Sequence, residues 1–187
     1  GGDASILDGT LGHTLYGWGH QQNLGNYMAD DFTSSASWNI DSLKFFAYQT
    51  GATAVTITGV YVQIWNGSPM AGGTIVWGDL TTNRLQSATL SNIYRAQSTT
   101  PTDCNRRIQT IVATAGVNLP AGQYWVQWGM TGSLASGPWC PPVTISGQAV
   151  TGDALQNVAG VWAAALNGTS PNGAPFIVYG TGGPACP

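Results

Sequence analysis

The sequence contains no glutamate, and lysine occurs once, at Lys44. Lys+Arg number 5 and Asp+Glu 8, so charged residues make up 7% of the 187 positions, against about 25% in an average soluble domain. So few cations cannot form a stripe that tracks phosphates, which excludes nucleic acid as a partner. No run of about 20 apolar residues occurs, which excludes a membrane-spanning helix. Scarce helix formers and 26 glycines argue against a helical fold.

Catalytic groups are equally thin. The two histidines, His13 and His20, both fall in the first 20 residues, and no G-x-S-x-G elbow follows to supply a nucleophile. Paired-carboxylate chemistry would have to rely on aspartate alone. The adjacent pair Asp30-Asp31 should point to opposite faces of a strand. The expectation is therefore a non-enzyme with no cofactor. Asp3, Asp8, Asp30, Asp31 and Asp153 could offer oxygens to calcium, but no dense D-x-D-x-D run exists. They read as turn caps and acceptors of backbone N–H, and no metal is expected.

What is present is alternation. Val55, Ile57, Gly59, Tyr61, Gln63 and Trp65 fall on one side of a strand, with Thr56, Thr58, Val60, Val62 and Ile64 on the other. Gln123, Trp125 and Gln127 alternate in the same way with Tyr124, Val126, Trp128 and Met130. Further strands are expected at 27–33, 40–49, 74–77, 85–95, 106–114, 143–146, 154–158, 161–164 and 176–179. Asn66-Gly67-Ser68-Pro69, Gly72-Gly73 and Leu119-Pro120-Ala121-Gly122 punctuate them as turns. Two N-x-[ST] matches, at Asn66 and Asn167, read as turns as well. The pattern predicts an all-β fold, a jelly-roll-like antiparallel β-sandwich. It forms a single domain: an N-terminal arm over 1–26, a sandwich over 27–180 and a tail over 181–187.

The start Gly1-Gly2-Asp3, without an initiator Met, reads as a mature secreted form. Three cysteines, Cys104, Cys140 and Cys186, are disulfide candidates in such a chain, and their odd number implies one bridge with a leftover thiol or a bond to another molecule. Three free thiols are the alternative.

Several segments together carry a resemblance. They include Ala29-Asp30-Asp31-Phe32-Thr33, Tyr48-Gln49-Thr50-Gly51, Ile64-Trp65-Asn66-Gly67, Asn92-Ile93-Tyr94-Arg95, Ser136-Gly137-Pro138-Trp139 and Pro175-Phe176-Ile177-Val178-Tyr179-Gly180. Across residues 27–180 the chain resembles a broad family of bacterial secreted or cell-surface β-sandwich proteins. The resemblance implies fold and export, and implies no activity. Cys140 and Asp153 depart from its pattern, which has a small residue and Asn there.

If Val60, Val62 and Ile64 face the core, then Tyr61, Gln63 and Trp65 face outward, and so do Gln123, Trp125 and Gln127. Tryptophan faces take the apolar side of a sugar ring, and amides both donate to and accept from its hydroxyls. The same face also suits a subunit contact, where aromatics are enriched and charge is depleted. A covering loop, or a swap of the inward and outward faces, is the remaining alternative. The expected function is a non-enzymatic extracellular structural or adhesive protein, with self-assembly into a filament or matrix as one form of it and a carbohydrate-binding module as second reading. Its partners would be other copies of itself or a matrix polysaccharide.

Overall fold

One-sided burial makes a strand alternate, and the computed structural model, which describes residues 3–142 and 152–182, realises that alternation in two facing sheets. The strands are β1 (Asp3–Leu7), β2 (Trp18–Gly19), β3 (Asn26–Ser34), β4 (Trp38–Ala47), β5 (Ile57–Asn66), β6 (Thr74–Asp79), β7 (Leu85–Gln97) and β8 (Arg107–Leu119). They continue as β9 (Gly122–Gly132), β10 (Trp139–Cys140), β11 (Leu155–Val158), β12 (Val161–Ala164), β13 (Leu166–Asn167), β14 (Ser170–Pro171) and β15 (Phe176–Gly182). The first sheet runs β1-β7-β8-β4-β15 and the second β12-β11-β3-β9-β5-β6. Short pairs β10-β2 and β13-β14 lie beside them. Helical structure among the described residues is three single-turn 3-10 segments. No helix there is long and apolar enough to cross a membrane. The expected strand at 143–146 lies outside the described residues.

The core sits between the sheets. Leu43, Phe45, Ala47, Ile111 and Ala113 come from the first sheet, and Met28, Val60, Val62, Ile64, Val126, Trp128 and Met130 from the second. Phe45 and Trp128 stack across the gap with ring centroids 4.9 Å apart, and Phe176 packs against Trp128 from the neighbouring strand.

Two features differ from the sequence reading. Ile57, placed by alternation with Tyr61 and Trp65, is buried in the core beside Val60. A register shift between Ile57 and Gly59 inserts a residue and turns the strand's start over. The N-terminal arm also contains a strand: β1 pairs parallel to β7, Asp3 opposite Ile93 through Leu7 opposite Gln97, at the edge of an otherwise antiparallel sheet.

Irregular connections are held by buried polar side chains. Gln109 Oε1 accepts from Thr56 N (2.9 Å) and Ile57 N (3.2 Å), while its Nε2 donates to Thr56 Oγ1 (2.7 Å). Gln49 Nε2 donates to the Leu134 carbonyl at 2.8 Å, and Asn167 Oδ1 accepts from Thr14 N and Leu15 N. Arg95, fully buried, donates to the carbonyls of Tyr16 (2.9 Å) and Leu15 (2.8 Å) and so ties the arm down.

Among the described residues Cys104 and Cys140 are not bonded to each other. Cys104 is exposed, Cys140 is buried, and both are free. Cys140 is held in the core by the β10-β2 pair, whereas Cys104 sits on the surface turn before β8. Cys186 lies outside the described residues. A thiol reagent should therefore label Cys104 in the native protein and reach Cys140 only on unfolding, as read by mass spectrometry. Protection of Cys104 under native conditions would show a bond to Cys186 or to a second chain. Phe45→Ala should cost about 3–5 kcal/mol in denaturant unfolding, because it removes one half of the inter-sheet stack.

Candidate functional site

The outer face of the six-stranded sheet is assembled from residues that cross-strand register brings side by side. One row runs Asp31 (β3), Trp125 (β9), Trp65 (β5) and Ile75 (β6). The next runs Leu155 (β11), Ala29 (β3), Gln127 (β9) and Gln63 (β5). A third places Trp162 (β12), Asn157 (β11), Tyr27 (β3), Gly129 (β9) and Tyr61 (β5) together. A side chain at Gly129 could not share this row, since its Cβ would lie 2.6 Å from the Tyr27 ring.

The six residues expected outward do lie on this face, but three of them are covered. Trp125 is 7% exposed and forms a second apolar cluster with Ala29 and Leu155, against which Trp65 and Trp162 pack. Gln63 and Gln127 are also buried. Gln127 Oε1 accepts from Gln63 Nε2 at 2.7 Å and from the Trp65 indole N–H at 2.9 Å. The physical reason is lateral. Trp65 and Trp162 pack against Trp125, Ala29 and Leu155, and β12 approaches the Pro69–Ala71 turn at the far side of the sheet. Trp65 and Tyr61 are half-buried and Gln123 is exposed. Trp162, which the sequence reading missed, is half-buried at the rim. Its signal was the hairpin. Ala159 and Gly160 both have positive φ (49° and 93°), a two-residue turn that sets Trp162 opposite Asn157.

Beside the rings lies a carboxyl cluster. Asp30, Asp31 and Asp153 bring ligand oxygens within 4.8 Å of one another. Alternation does set Asp30 and Asp31 on opposite faces, as expected, yet their carboxyls come together. Asp30 does face inward, at 6% exposed, and Asp31 outward. The pairing of β3 with β11 ends at Ala29, and just past that point the two carboxyls meet that of Asp153. Asp30 accepts from Ala174 N (2.7 Å) and Asp31 N (2.9 Å), and Asp31 accepts from Gln123 Nε2 (2.6 Å). Burial pushes Asp30 up to about 7, and burial also raises Asp31, with the Asp153 charge adding to it. Three such oxygens could contribute to a hard-cation shell, though calcium takes six to eight.

The remaining sequence candidates fall elsewhere. His20 is wholly buried with neither ring nitrogen partnered, and burial lowers it to about 3. His13 lies near Asp8, whose carboxyl caps a turn by accepting from Thr10 N. Asp3 belongs to β1. No protein-family model matches the chain, and no curated protein matches it significantly.

Asp30 and His20 oppose each other in pH. A carboxyl whose folded pKa is raised stabilises fully at acid pH and loses that contribution as pH climbs through about 7. A histidine lowered to about 3 stabilises fully above its ordinary 6.5 and loses that contribution as pH falls. The slopes of Asp30 and of Asp31, which is raised as well, oppose that of His20 between about pH 4 and 6.5, so the parent's melting temperature should not fall there as pH drops. In an Asp30→Asn, Asp31→Asn variant only the histidine slope remains, so the melting temperature should fall as pH drops across that range. A flat profile in this variant would mean that His20 is not held neutral.

Proposed function

We propose that this chain is a non-enzymatic extracellular adhesive protein that holds a polysaccharide on the outer face of its six-stranded sheet. The observation that carries the reading is the pair Trp65 and Trp162, both half-exposed and both braced against buried Trp125. Rings immobilised by their neighbours lose little freedom when a sugar stacks on them, which favours binding by preorganisation. The hydrogen bond from Trp65 to Gln127 fixes one indole further, while exposed Gln123 offers an amide to hydroxyls.

Assembly from copies of the same chain is the second reading, favoured by the two edges of this sheet. Edge strand β6 exposes Ile75 and Val76, and the opposite edge β12 exposes Val161 at 70%. Neither edge carries the lysine that commonly blocks edge-to-edge pairing. Contact between opposite edges would be head-to-tail and would extend into a filament.

Affinity electrophoresis through gels containing soluble cellulose derivatives, xylan or mannan tests the first reading. Retardation by at least one of them is expected, with Trp65→Ala and Trp162→Ala each weakening it about tenfold or more, as removal of an exposed stacking anchor should. No retardation in any gel, together with large particles on sedimentation, would replace the adhesive reading with the assembly one. Trp125→Ala should instead destabilise the fold by about 3–5 kcal/mol, because that ring is core.

A further inference from the structure

We propose, resting on the glycan reading above, that the tryptophan face takes an amino sugar polymer bearing free amines, and that Asp31 and Asp153 receive the ammonium group. The aromatic face and the carboxyl cluster form one surface. Asp31 is the direct cross-strand neighbour of Trp125, and Trp125 of Trp65. Asp31 and Trp65 thus stand two strands apart, about 9–10 Å at ordinary sheet spacing, roughly the length of a disaccharide. Asp153 is exposed and approaches Asp31 two residues before Leu155, itself part of the second apolar cluster.

Charge complementarity selects the occupant. Three carboxyls share a space of 4.8 Å, and each of the chain's five cations is engaged elsewhere. Lys44 lies over Tyr179, Arg84 pairs with Asp79, Arg95 binds the Leu15 and Tyr16 carbonyls, Arg106 pairs with Asp103, and Arg107 donates to the Ser91 carbonyl. No cationic side chain therefore pairs with the cluster, although burial pushes Asp30 towards its neutral form. A uronic acid polymer would meet repulsion there, and a neutral glycan would gain only from the rings. A sugar ring on Trp65 whose neighbour carries an ammonium gains from both, since three N–H donors meet acceptor-only carboxylates. Ammonium binding also favours the ionised form of a carboxyl that burial pushes towards neutrality.

Intrinsic tryptophan fluorescence, titrated in EDTA at pH 6 with a fully deacetylated glucosamine hexamer and with its fully N-acetylated counterpart, tests this. The chelator prevents a bridging divalent ion from standing in for the amine. The glucosamine hexamer should bind about fivefold tighter or more, with the margin shrinking as salt rises. Asp153→Asn, at an exposed position, should bring the two ligands close to parity with the melting temperature preserved, and Trp65→Ala should weaken both. Equal affinities in the parent, or tighter binding of the acetylated hexamer, would overturn the amine assignment and leave the glycan reading standing. Binding of neither hexamer, when no neutral polysaccharide retards the protein, would remove both. A lysine hexamer that binds as tightly as the glucosamine one, and is insensitive to Trp65→Ala, would show that the cluster reads charge alone and would also overturn the assignment.

Discussion

Buried side-chain amides hold this sandwich together where its ladders stop. A chain with 7% charged residues has few ion pairs to spend on fixing its connections, yet every buried backbone N–H and carbonyl still needs a partner. Gln109 satisfies the chain entering β5, Gln49 the turn after β9, and Asn167 the end of the N-terminal arm. Each bond contributes only about 0.5–1.5 kcal/mol net, but an orphaned buried group costs about 1–3 kcal/mol. The amides thus matter chiefly through what their loss would expose. Arg95 does the same for two carbonyls with a guanidinium. Because these groups sit between elements far apart in sequence, they set where the loops lie relative to the sheets.

The outer face follows the same logic on a smaller scale. Gln127 is the hub of a buried bond pair that orients Trp65, and Trp65 in turn lies against Trp125. A ring held by a neighbour and by a hydrogen bond is a rigid surface feature. The sheet therefore has two apolar sides of unequal size, a full core within and a cluster of three buried residues without. On the second side the rims of Trp65 and Trp162 remain wet, which separates a surface platform from a second core.

Much of the fold was legible in alternation, because Val60, Val62 and Ile64 do face the core and Tyr61, Gln63 and Trp65 do not. Irregularities were invisible. The shift that buries Ile57 is one inserted residue with no compositional mark, and the parallel partner of β1 lies ninety positions away. Side was readable at the candidate face, whereas exposure was not. Period two assigns Trp125 to the outer face but cannot tell that Leu155, Ala29, Trp65 and Trp162 crowd it. The gathering of Asp30, Asp31 and Asp153 depends on where β11 stops, which is set by tertiary pairing and not by any local signal.

The parallel edge strand has a consequence for the order in which the molecule closes. β1 precedes the other described strands in the chain, yet its register partners begin at Ile93 and the groups that fasten the segment behind it are Arg95 and Asn167. Those anchors are made late, and the last of them only when most of the chain exists. Until then residues 3–17 lack the partners that hold them in the finished fold. Strand β1 is accordingly a late closing stitch of this fold, because the contacts that hold it span about ninety positions of sequence.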